Sequence, residues 1–255
     1  MQNLRRWGGE AGVLAGLATA WLFLAFVQVF PSAGLSLAAQ MDPHKYLQFI
    51  VKHQAMFWTV NVLGGLLAAL MAAVLFIALN DRFRDEAPAS AHVGALFGII
   101  GTLGFAGSAL IRQVGFVALA AFYPANKTSA VIAFRALSGM ENSMFALGEV
   151  GVGLGAIVLG TVMLKTQRYA GLGYLSAVAG TTMFLSGFIA HVILFIASFA
   201  TMAAWFVWSA LTLRAEVGPA FVPWGAGKSH SKAGEVEPRN RTARRPSAQH
   251  SHARS

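Results

Sequence analysis

LGYLSAVAGTTMFLSGFIAHVILFIASFATMAAWFVWSALTL, running from Leu172 to Leu213, contains no Asp, Glu, Lys or Arg. As a single helix it would reach about 63 Å, twice the hydrocarbon core of a bilayer. The chain must therefore fold back. A tight turn near Ser186 to His191 divides the stretch into helices of about Leu172–Phe188 and Val192–Leu213. Working back from there, four further apolar runs long enough to cross a membrane are bounded by charges or turn formers. They cover about Met140–Leu164, Val93–Phe122, Met56–Asn80 and Ala11–Phe30. The sequence thus predicts an all-α, polytopic transmembrane bundle of six spans over residues 1–214.

Composition agrees with this. Of 255 residues, 56% are hydrophobic and 11% charged, against roughly 25% charged in an average soluble domain. The chain has no Cys, so disulfides, thiolate nucleophiles, iron–sulfur clusters and cysteine zinc sites are excluded. The net charge of +9 is read as topology. Arg5, Arg6, Arg82, Arg84, Lys165, Arg168 and Arg214 flank one side of the spans, and only Lys45, Lys52, Lys127 and Arg135 flank the other. By the positive-inside rule both termini of this multi-pass chain are cytoplasmic, which agrees with an even number of spans. A signal peptide with a small-residue site at Leu37-Ala38-Ala39-Gln40 is the weaker reading, because the apolar run of about 20 residues exceeds the usual 7–15.

Residues 215–255 differ in kind, being rich in Pro, Gly, Ser, Arg and His. They read as a disordered basic cytoplasmic tail. Lys228, Lys232, Arg239, Arg241, Arg244, Arg245 and Arg254 outnumber Glu235 and Glu237, which suits anionic lipid headgroups at about 1 kcal/mol per basic residue near the surface. No recognition helix or aromatic platform accompanies this charge, so nucleic acid is not the expected partner.

Between the first two spans, Asp42-Pro43 reads as an N-cap followed by Pro at the first helical position. It opens a short amphipathic helix to about Gln54, either lying on the outer leaflet or running straight into the second span. Tyr123-Pro124-Ala125-Asn126-Lys127 is a turn before a short helix at Ser129–Leu137. Glu141, Asn142 and Ser143 then open the fourth span, where acidic residues suit a helix N-terminus.

Two charges fall deep in the bilayer, Arg112 and Glu149, and an ionisable residue there is a functional hypothesis with a partner to be named. Antiparallel neighbours put them at similar heights, which predicts an Arg112–Glu149 ion pair. The pair either fixes the register of two helices or forms a proton or substrate site. Gly94, Gly98 and Gly101 on the third span, with Gly151 and Gly155 on the fourth, recur every three or four residues. That is small-xxx-small packing, and it makes these spans the tight centre of the bundle. Gly151-Val-Gly-Leu-Gly155 lies inside an apolar span without a preceding strand, so it is not a nucleotide loop. His44, His53, His191, Met41 and Met56 do not have the spacing of a haem or copper site, and neither cofactor nor metal is expected.

Lys52-His53-Gln54-Ala55-Met56-Phe57-Trp58, the run Gly153 to Gly160 leading to Lys165, and Leu172-Gly173-Tyr174-Leu175 carry a family likeness. Over residues 10–213 the chain resembles a bacterial family of six-span integral membrane proteins of unknown function. It differs from that pattern at Trp58, where Arg is common, and across Gln167–Gly171, which lacks an Ile-Pro-Arg run. The resemblance implies a bacterial inner membrane and a helical bundle, and no catalytic residue. With no grouping for nucleophilic or metal catalysis, the expected function is non-enzymatic: an accessory or assembly subunit of a membrane complex. The alternative is a small proton-coupled transporter using Arg112 and Glu149.

Overall fold

The computed structural model describes residues 2–217 apart from Leu37, Arg168 and Ala190. The expected basic tail lies outside the described residues from position 218 onward, as do the Leu37 and Arg168 used in the topology argument. Among the described residues every regular element is a helix. Five are long and apolar enough to cross a membrane: α1 (Asn3–Ser32), α3 (Gln54–Phe83), α4 (Pro88–Phe122), α5 (Lys127–Lys165) and α7 (Val192–Glu216). A short α2 (Pro43–Lys52) precedes α3, and α6 (Ala170–Ser186) has 17 residues. The break between α6 and α7 falls at 187–191, within the region where the uncharged stretch has to turn.

These helices pack in chain order around a closed ring. The principal interfaces are α1 with α3, α3 with α4, α4 with α5, α5 with α6, α6 with α7, and α7 back onto α1. Short connections at 84–87, 123–126, 166–169 and 187–191 make neighbours antiparallel. The largest interface is α4 against α5, where the glycines do the work. A Cβ on Gly151 would lie 2.6 Å from the Gly101 Cα, one on Gly155 would lie 2.7 Å from the Gly98 nitrogen, and one on Gly94 would lie 2.9 Å from Leu159 Cγ. Gly98 also accepts the Phe76 ring of α3 into the space a side chain would fill. Backbones this close leave no room for a methyl group on either helix.

Two local expectations are corrected. The fourth long helix does not begin at Met140: it starts at Lys127, where the Asn126 side chain accepts from the Ser129 N–H at 3.0 Å, and continues to Lys165. The stretch from Ser129 to Met140 contains no proline, and the single Gly139 costs an exposed helix only about 1 kcal/mol relative to Ala. Nor does α7 stop before the tail, because helical structure continues through Glu216.

Of the two placements open for α2, neither describes it fully. Asp42 caps it by accepting from the His44 N–H at 2.9 Å, and the chain bends at His53 before entering α3. Tyr46, Leu47, Phe49 and Ile50 are all buried, in a cluster with Phe30, Phe57, Phe116 and Phe134. The helix is therefore a plug seated on the ends of α4 and α5, and His44 Nδ1 is bonded to the Tyr123 hydroxyl at 2.7 Å.

Candidate functional site

At the end of the ring plugged by α2, three helices leave the α-helical winding. Ala25–Val29 in α1, Thr59–Leu66 in α3 and Ile111–Phe116 in α4 are π-helical. Wide turns of this kind interrupt the regular backbone ladder and recur at functional sites. In α3 the Asn61 side chain is buried and donates to the Phe57 carbonyl at 2.8 Å. In α4 the π-helical segment carries Arg112.

Arg112 does not pair with Glu149. Its Nη2 and Nε lie 2.7 and 2.8 Å from Glu141 Oε1, and the Ser108 hydroxyl donates to the same oxygen at 2.6 Å. Glu149 instead accepts from the Ser186 hydroxyl of α6. The reason is register. Because α4 and α5 are antiparallel, Gly98 meets Gly155, Gly101 meets Gly151 and Gly104 meets Gly148; continuing outward brings Arg112 level with Glu141. Glu149 lies eight residues further along α5, about 12 Å away in height. Glu141 is therefore no exposed cap: it is buried, with 4% of its surface exposed. The glycine spacing, extended by two turns, contained this signal.

The Arg112 guanidinium also lies over the rings of Phe26 and Phe145, at 4.9 and 5.7 Å from their centroids. Tyr46 of α2 is buried nearby. Burial pushes its hydroxyl up to about 12, with the Arg112 charge pulling down and the Glu141 charge pushing up. It is a neutral hydrogen-bonding group at any physiological pH.

Two spaces meet at this pair. One is an internal cavity of about 50 Å³ on the ring axis, lined by residues from all six helices of the ring, among them Thr19, Asn61, Ser108, Met183 and Phe199. The other is a vestibule of about 830 Å³ at the α2 end, whose lining includes Tyr46, Glu141, Asn142, Ser186 and His191. Arg112 lines both. The axial cavity is large enough for water molecules and has polar groups to hold them.

The opposite end of the ring is closed by charge. Arg82 is buried, with its Nη1 2.7 Å from Glu86 Oε1, its Nε paired with Glu216, and its Nη2 2.9 Å from the Tyr169 hydroxyl. Its guanidinium also stacks over Phe83 and Tyr169. Arg5 reaches Asp81 at 3.2 Å beside it. The sequence places Arg82 only as a flanking charge.

Among the described residues no three His, Cys, Asp or Glu side chains gather to hold a metal; His53 packs at a tilt against Phe49, ring centroids 4.7 Å apart. Compared with known proteins, the chain matches no family model, no curated protein and no solved structure.

Proposed function

We propose that this is a six-span, multi-pass protein of a bacterial inner membrane, with both termini cytoplasmic. It works as a small carrier that takes a polar solute from the outer side into the vestibule and passes it along the ring axis. The observation that carries this reading is the position of Arg112, which lines both the vestibule and the axial cavity and is held by one carboxylate oxygen. The tight ion network around Arg82 supports an outward-facing state, because it closes the bundle at the end where the positive-inside rule puts the cytoplasm. The sixth span is α6: at about 26 Å it is short for a bilayer, but it packs between α5 and α7 as a full member of the ring.

A chain without cysteines makes the test direct. In intact cells an impermeant maleimide labels the Gly139→Cys variant, at an open position of the vestibule, and does not label Lys165→Cys until the cells are opened. A small thiol reagent added outside also reaches Thr19→Cys in the axial cavity, more slowly. A Thr19→Cys variant inert from both sides overturns the carrier reading, and reversed labelling of Gly139→Cys and Lys165→Cys overturns the orientation. Stoichiometric co-purification of a partner protein, with no solute uptake by the isolated chain in proteoliposomes, favours the accessory-subunit alternative.

A further inference from the structure

Among the described residues, the contacts that Arg112 and Glu141 make leave half of each group uncommitted. All three donors converge on Glu141 Oε1, two from Arg112 and one from Ser108. Oε2 takes none of them, and Arg112 Nη1 is not among the donors. Both residues line the vestibule, which sets a carboxylate and a guanidinium side by side on its wall. Phe26, Phe116, Phe134 and Phe195, on different elements, line the wall together with polar residues such as Asn142 and Arg135.

Charge balance then selects the ligand. The Arg112–Glu141 pair is itself net neutral, so an anion taken by Arg112 or a cation taken by Glu141 brings an uncompensated charge into a partly desolvated site, which is unfavourable. A molecule carrying both charges avoids this, because its ammonium meets Oε2 while its carboxylate meets Nη1, with the Arg112–Glu141 contact kept. Resting on the carrier reading above, we infer that the vestibule binds a zwitterionic α-amino acid with an apolar side chain. The ammonium and carboxylate sit on Glu141 and Arg112, and the side chain lies against the phenylalanines.

The test uses the full-length chain in detergent and three probes with the same phenyl body: L-phenylalanine, 3-phenylpropanoate and 2-phenylethylamine, titrated by calorimetry. L-phenylalanine binds at least tenfold more tightly than either singly charged analogue, and Glu141→Gln removes that advantage, because 3-phenylpropanoate then supplies the negative charge that Arg112 has lost and binds more tightly than to the wild type. An advantage below tenfold, or no binding of L-phenylalanine, overturns the inference. The analogue comparison needs only the wild-type chain, so it holds even if Glu141→Gln fails to fold. The two failures are distinct. If Thr19→Cys is reactive while the three probes bind alike, the ligand class falls and the carrier reading survives; if Thr19→Cys is inert, the carrier reading falls whatever binds.

Discussion

Arg82, which is buried, and Arg112, which is partly buried, lie one at each end of the same ring, and they are held in opposite ways. Arg82 engages two carboxylates, a phenol hydroxyl and two aromatic faces drawn from α3, the 84–87 connection, α7 and the segment before α6. Arg112 engages one carboxylate oxygen and two rings, and it borders a cavity on each side. The same residue type is a clamp where partners saturate its donors and a binding group where they do not. Geometry, and not burial alone, separates the two roles.

Replacing each arginine by methionine tests this contrast most sharply. Arg82→Met removes the cation that Glu86 and Glu216 share and costs about 3–5 kcal/mol, the usual loss when one side of a buried pair is removed. Arg112→Met costs about 2–3 kcal/mol, because water entering the vestibule can solvate Glu141, so the loss falls below the full buried-pair figure. Thermal unfolding in detergent measures both, and equal losses at the two positions would break the comparison.

Glycines give a second contrast, between the α4–α5 seam and the vestibule rim. Gly151→Ala drives a methyl group to within 2.6 Å of the Gly101 backbone, where neither helix has a flexible side chain to move, and costs about 1–3 kcal/mol through overpacking. Gly139→Ala meets nothing within 4 Å and is neutral or stabilising by up to about 1 kcal/mol through helix propensity. If both substitutions cost the same, backbone contact is not what fixes the seam.

How much of this was legible in the sequence depends on the range of the force involved. The spans follow from hydropathy and length alone, which is why the turn between α6 and α7 falls at 187–191 as the uncharged run demands. The seam at Gly101 and Gly151 was also legible, because the absence of a side chain has only one packing consequence. The pairing of Arg112 was misread because depth was counted from assumed helix starts, and α5 begins thirteen residues before Met140. The burial of Arg82 left no local trace, because it depends on Glu216 of α7 closing over it, a contact between residues 134 positions apart.

Glu149 provides a smaller effect. Its partner is the Ser186 hydroxyl, so Ser186→Ala removes the donor and costs about 1–2 kcal/mol, the range for leaving a buried acceptor unmatched. Glu149→Gln retains an oxygen that can accept from Ser186 and costs less than about 1 kcal/mol. Glu149→Gln does not alter binding at Arg112 and Glu141, since Glu149 lies two turns from Glu141 along α5 and lines neither space. A loss of binding in Glu149→Gln equal to that in Glu141→Gln would join the two acids into one site.

The smallest effect at neutral pH, and the one that reports on the α2 plug alone, comes from Tyr46. Its hydroxyl is pushed up by burial from 10.0 to about 12, so the folded chain keeps a proton that the unfolded chain releases above pH 10. That contributes stability fully present below pH 10 and lost as the pH climbs from 10 to 12. Tyr46→Phe keeps the ring against Phe57, Phe116 and Phe134 and changes neutral stability by less than about 1 kcal/mol, within the range of most single hydrogen-bonding losses. It also removes this alkaline dependence, so between pH 10 and 12 the variant loses less stability than the wild type. Identical alkaline unfolding of the two proteins would mean that the hydroxyl ionises as readily in the folded state as in the unfolded one. Water would then reach it freely, and α2 would not seal the wall of the vestibule beside Arg112.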